Sequence, residues 1–316
     1  MRDDSGAAAV IGAIIVLAVL GTAVLFVNGV QVPRQGATLE VAGAEATQRA
    51  LVTLAGALSQ RESGPRAFDV PLAPPVAQPP LLAGVVLSPA RAQGSLAFDP
   101  DAARVRVSLV LPLPSGGVDP ADPVRVDEGG GLMRVYLLGN RTSGVPVGAL
   151  EAQVGGAYLD VAARRVEAGA VLQTGGGTSA LVEPPSLRVG GSTDGDVPLT
   201  TVSWTIPLLG GASAQVSGAP SAVVRLDAGP LAASGGGVRA HEVQIEVETG
   251  ARLGWTQALE EAVGARGVVS AVPAGTDAGT VTATILPPAG TPAGTRAVTV
   301  DLWAVRFDVQ VGQRAG

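Results

Sequence analysis

Residues 7 to 27, AAAVIGAIIVLAVLGTAVLFV, form one uninterrupted apolar block, and every residue from Ser5 to Pro33 is formally neutral. As an α-helix the block is roughly 31 Å long, enough to cross the hydrocarbon core of a bilayer, and a helix satisfies its own backbone amides and carbonyls there. No comparable block follows it. A cleaved secretory signal has a shorter apolar core, about 7–15 residues, behind a basic leader. Here only Arg2 precedes the block, offset by Asp3 and Asp4. The sequence therefore predicts a single-pass transmembrane anchor within residues 1–33. With Arg2 on one side and Arg34 on the other, flanking charge does not set its orientation. The bulk of the chain follows the span, which places the C-terminal body outside the cell as an expectation.

Beyond Pro33 the pattern changes to a polar, Ala-rich helix, approximately Ala37 to Gln60, within a segment 34–65. Thr47, Leu51, Leu54 and Leu58 recur with a period near 3.6, and Glu45, Gln48, Arg49 and Gln60 fall between them. This narrow stripe suits three arrangements: extension of the membrane helix after a proline kink, packing on the body, or contact with the same helix in a second copy. Residues 71–80, PLAPPVAQPP, hold five prolines and read as a stiff extended connector leading into a body that spans 66–316.

The body is poor helix material. The chain has 44 Gly and 24 Pro in 316 residues, only 15% charged residues, and an apolar fraction of 47% that is too high for wholesale disorder. Many short strands and frequent turns follow from this, giving a mainly β fold: an N-terminal transmembrane helix and then a β-sandwich-like body, one sandwich or two stacked. The longest strand is expected over Arg296 to Val311. Val298, Val300, Leu302 and Ala304 alternate there against a second set that becomes wholly apolar towards its end, as in a bent or bulged strand covered partly on both sides. His241 to Thr249 reads as a half-buried antiparallel strand, with Val243, Ile245 and Val247 on one face and four Glu or Gln on the other. Further strands are expected at 67–72, 85–88, 105–111, 133–138, 181–189, 199–207, 223–226 and 281–286. One body helix is expected over Thr256 to Val263, capped by Thr256 and stopped by Gly264.

The order of features in the first sixty residues resembles the N-terminus of archaeal type IV pilin-like surface proteins. It is more closely similar to a large, chiefly haloarchaeal family of membrane-anchored surface proteins. Ala9, Val10, Ile11 and Gly12 match that family's start, and Val32, Pro33 and Gln35 its VP-x-Q turn. Residues 158–189, 204–224 and 255–261 resemble its later parts. The resemblance implies a membrane-anchored, surface-exposed, β-rich architecture and no assigned activity. One departure bears on filament assembly: a pilin precursor carries a basic residue ahead of its Gly or Ala, whereas Gly6 follows Asp3, Asp4 and Ser5. Permanent anchoring therefore stands beside processing.

The residue inventory excludes several chemistries. There is no Cys and a single His, His241, so thiol catalysis, Cys-based metal sites and disulfides are absent from this sequence. All 21 basic residues are Arg, scattered over a chain of net charge −6, which gives no phosphate-binding stripe and argues against nucleic acid as a partner. No phosphate loop, hydrolase elbow or dinucleotide fingerprint occurs in a suitable context, and the Gly clusters read as hairpin turns. No catalytic residue and no cofactor are expected. Asp119, Asp122, Asp127 and Glu128 lie within ten residues of a Pro/Gly loop and are the candidate Ca²⁺ ligands, although a solvated acidic loop explains them as well. Asn140-Arg141-Thr142 is an N-x-T sequon in an expected turn, so Asn140 is the glycosylation candidate. Adjacent Glu260 and Glu261 point in different directions on a helix and cannot flank one glycosidic bond. The sequence thus predicts a non-enzymatic, membrane-anchored cell-surface or envelope protein held in lipid through residues 7–27, with self-association or envelope proteins as partners. The alternatives are a pilin-like filament subunit and a glycan- or solute-binding module using Tyr136, Tyr158, Trp204, Trp255 or Trp303.

Overall fold

The computed structural model describes residues 4–60, 64–73, 94–115, 117–119, 121–195, 197–292 and 295–313. Helix α1 (Asp4–Phe26) passes through a π-helical turn, Val27–Gln31, into α2 (Val32–Leu58). At 1.5 Å per residue the two form a rod of about 80 Å. The helical backbone continues through Pro33. The π turn, in which the Val32 amide donates to the Val27 carbonyl, falls where Pro33 withdraws an amide and its ring would press on the preceding turn.

The strands that follow are β1 (Arg66–Pro71), β2 (Ser95–Pro112), β3 (Arg125–Gly129), β4 (Leu132–Leu138), β5 (Val145–Gln153), β6 (Ala163–Glu167), β7 (Ala170–Gly175) and β8 (Thr178–Glu183). They continue as β9 (Arg188–Asp194), β10 (Val197–Gly210), β11 (Ala214–Ser217), β12 (Ser221–Ala240), β13 (Glu242–Thr249), β14 (Gly267–Pro273), β15 (Gly279–Ile285) and β16 (Val298–Gln313). Helix α3 (Arg252–Val263) lies between β13 and β14. One sheet has five strands in the order β1-β12-β16-β10-β9, with β10 and β16 parallel. The other has eleven. Its path is β14-β15-β13-β2-β5-β6-β7-β8, with β4 and β11 also paired to β2, and β3 to β4.

The sheets enclose two hydrophobic cores, and the long strands serve both by changing which face they bury. In β16, Val298, Val300, Leu302 and Ala304 enter the first core, then Val305, Phe307 and Val309 enter the second. The inward set changes from even to odd numbers between Ala304 and Val305. Strand β12 shows register shifts against β16 in this region, the signature of bulges. Strand β2 does the same: Leu96 and Phe98 lie in the second core, and Val105, Val107 and Leu109 in the first, across a register shift between Asp99 and Ala103. The sandwich-like β body expected from the sequence is therefore present, and the final strand is covered in part on both faces as expected, although the extra residues of the bulges lie in its neighbour β12.

Several expectations shift. The strand expected at 181–189 is cut by Pro184 and Pro185, so that β8 ends before them and β9 starts after. Helix α3 begins at Arg252 rather than Thr256, whose hydroxyl donates to the Arg252 carbonyl within the helix. Its first turn is capped from outside, by Asp277 accepting from the Leu253 amide. The strand expected at 85–88 and residues 74–80 of the Pro-rich stretch lie outside the described residues. Leu72 and Gly94, on either side, are in contact, since a side chain on Gly94 would lie 2.0 Å from the Leu72 carbonyl oxygen. The chain therefore leaves and rejoins the body at one place. The element joining α1 to the body is α2.

Candidate functional site

Two features of the described residues have no counterpart inside a self-contained soluble fold: the bare apolar surface of α1 and the rigid seat that holds its continuation. Along α1 the large side chains face outward, with Leu17 68% and Leu25 74% exposed. It is the one helix among the described residues long and apolar enough to cross a membrane, and none of that apolar stretch is buried. Apolar residues surround this helix on all sides, the pattern of a helix suited to an apolar environment.

Helix α2 is amphipathic and seated. Thr47, Leu51, Leu54 and Leu58, the expected stripe, are buried, and the three leucines belong to the second core. At the end of α2 nearer α1 the seat is polar. Glu40 is 1% exposed and accepts backbone hydrogen bonds from Ala157, Tyr158 and Leu159. Three convergent amides form a small nest that stabilises a buried carboxylate. The Tyr158 ring lies across Gly36, where a Cβ would come within 2.2 Å of Cε2, so only glycine allows this approach. Gln48 accepts from Arg164 Nε at 3.0 Å, and the Thr47 hydroxyl donates to the Pro71 carbonyl. The loop 155–162 and strands β1 and β6 thus clamp α2 along its length.

The buried carboxylate Glu167 was not singled out by the sequence. It ends β6, is 0% exposed, and accepts from Trp255 Nε1 at 2.8 Å. Arg165 Nε lies 2.7 Å from its other oxygen, an ion pair by distance although poorly aligned as a hydrogen bond. Burial pushes the Glu167 carboxyl above its ordinary value, against the opposing effects of Arg165, Thr249 and Trp255. The group faces packed side chains, so its role is to tie α3 to the sheet.

The sequence candidates are distributed as follows. Asp119, Asp122 and Asp127 each accept a backbone amide two residues ahead, in Asx turns. Glu128 pairs with Arg134 at 2.8 Å. Among the described residues no group of three or more acidic or histidine side chains converges on a common metal position. Asn140 sits in the turn joining β4 to β5, and its Oδ1 accepts from the Thr142 amide and hydroxyl, both at 2.9 Å. Thr142 is exposed and Asn140 half-buried. The His241 ring approaches the Thr295 carbonyl at 3.5 Å, and Glu261 accepts from Gln257 at 2.8 Å. Of the five aromatics offered as ligand platforms, Trp204 and Trp255 are in the first core and closed to a glycan. Tyr158 covers Gly36, Tyr136 lies under the Arg106 guanidinium at 5.9 Å, and Trp303 donates to Asp301 at 2.6 Å.

An open groove of about 550 Å³ runs between α2, the turn after β8 and α3, lined by Val52, Gly56, Ser59, Pro185, Arg188 and Glu261 among others. The hydroxyls of its two serines donate to backbone carbonyls, Ser59 to Ala55 and Ser186 to Thr205. Compared with known proteins, the chain matches no protein-family model, no curated protein and no solved structure.

Proposed function

We propose that this protein is a non-enzymatic, single-pass membrane protein that uses α1 as its anchor and α2 as a rigid mount for a β-rich body at the cell surface. The observation carrying this reading is the uncovered apolar surface of α1, continuous with a helix whose other end is locked into the body core. Removing such a surface from water is strongly favourable at about 25 cal/mol per Å², and lipid is the environment that can surround it on every side. The same continuous helix also suits a pilin-like filament subunit, in which the apolar halves of many copies pack laterally.

One experiment separates these readings. Protease applied to intact cells should release or degrade the body and leave a membrane-held N-terminal stub. Sequencing of the stub's first residues then reads its history: a start at the unprocessed terminus supports permanent anchoring, and a start within residues 6–10 supports filament-type maturation. A body that stays protected together with cytoplasmic markers would overturn the surface location.

A further inference from the structure

Sheet edges invite pairing with other strands, and folded proteins guard them with charge, short length or a covering element. Most edges here are guarded. The Leu181 amide of β8 is held by Gln257, the end of β1 is bonded by Thr47 of α2, β3 carries Arg125, Asp127 and Glu128, and β9 carries Arg188 and Asp194. Strand β11, AQVS, is uncharged but only four residues long, which leaves β14 as the long uncharged edge among the described residues, guarded only by its terminal Pro273. Its sequence GVVSAVP has no charge, it pairs only with β15 among the described residues, and Val268 and Val272 are 62% and 66% exposed in mid-strand.

The direction of its free backbone groups follows from its partner. The Arg266 carbonyl accepts from Leu286, and the Ala274 amide donates to Ala278, so even-numbered residues bond to β15. Gly267, Val269 and Ala271 therefore turn their amides and carbonyls to the open edge. Val268, Ser270 and Val272 share the outer face with Thr284, Thr282 and Thr280 of β15, so the face stays uncharged for two strands inward.

We propose that β14 is a dimerisation strand that pairs antiparallel with β14 of a second copy of this chain, about a two-fold axis at Ser270. The strand is complementary to itself in that register. Val269 faces Ala271 of the second copy in a hydrogen-bonded pair, Val268 faces Val272 on the open face, and Ser270 faces its own equivalent. Pro273, lacking an amide, ends the ladder. Because the strand carries no charge, its copy meets no like-charge opposition, and the result joins two eleven-stranded sheets across one continuous surface. The inference is independent of which side of the membrane holds the body.

The chain has no cysteine, which makes cross-linking a clean test. At the axis Ser270 and its equivalent form a non-hydrogen-bonded pair, with Cα atoms about 4.5 Å apart, inside the range a disulfide spans. Full-length Ser270→Cys in detergent or in its native membrane should convert under mild oxidant to a species of twice the chain mass, while Val197→Cys, exposed on another strand, should not. Ser270→Lys should abolish the dimer by placing two ammonium groups opposite each other, and mixing it with Ser270→Glu should restore it. Equal cross-linking of the two cysteine variants, an unchanged mass for Ser270→Lys, or a cross-link to a species of different mass would each overturn self-pairing.

Discussion

Glu167 is a residue whose environment decides its chemistry. Its carboxyl ends a β-strand in the closed core, bonded by Trp255 and approached by Arg165, and desolvation favours its neutral form. Because its folded-state affinity for the proton exceeds that of the unfolded chain, its stabilising contribution is complete below the ordinary value of 4.5 and is lost as pH rises through the folded value. Glu167→Gln retains an acceptor for Trp255 and removes the titration. Thermal unfolding followed by Trp fluorescence should then show the wild type losing stability relative to the variant as pH rises above 4.5; a difference that does not vary with pH would reject this account. The residue was hidden in the sequence because ARRVEAG reads as a charged surface hairpin, and only tertiary packing places Trp255 above it. Asn140 and the acidic loop were readable as turn formers, since Asx geometry is local.

At the scale of elements, legibility followed the range of the forces. The stripe on α2 and the alternation in β13 and β16 are periodic, and the buried sets match the expected ones. The change of face in β16 was visible because the set Val305, Phe307, Val309 and Val311 becomes wholly apolar while the other set turns to Arg306, Asp308 and Gln310. Periodicity did not reveal β5, β6 and β7 because VPVGALEAQ, ARRVE and AVLQTG show no clean alternation; only the resemblance over residues 158–189 implied a short hairpin there. The start of α3 escaped because its capping carboxylate, Asp277, lies 24 residues away from the amide it bonds. Helix α1 needs no tertiary partner to be recognised, and the membrane role proposed for it is testable by itself. Ile15→Arg places a charge near the middle of the span and should cost about 2.5–3.5 kcal/mol of insertion free energy. Fractionation should find the variant displaced from the membrane, with the body's near-ultraviolet circular dichroism unchanged. Unchanged membrane retention would mean that another surface holds the protein.

At the scale of the whole molecule, the body was expected over residues 66–316, and the helix before it was left with three arrangements, extension of the first helix, packing on the body or contact with a second copy, among which the sequence did not choose. Yet Leu51, Leu54 and Ala55 are at most 1% exposed and Leu58 is 0% exposed, in one core with Phe98, Phe307 and Val309. Burying a leucine side chain contributes about 1.5–3 kcal/mol, so the three leucines of α2 together supply on the order of 5–9 kcal/mol before entropy is counted. That is comparable to the entire net stability of an ordinary domain, about 5–15 kcal/mol. The fragment 66–313 lacks this cover and opens an apolar trough over β1 and β6, whereas 32–313 keeps it and removes only the exposed apolar half of the rod. The longer fragment should unfold in one cooperative transition and leave a hydrophobic dye dark. The shorter one should bind the dye, aggregate or melt without a sharp transition. If both melted alike, α2 would be an ornament on an independent body, and the force that orients the body on its anchor would have to reside elsewhere.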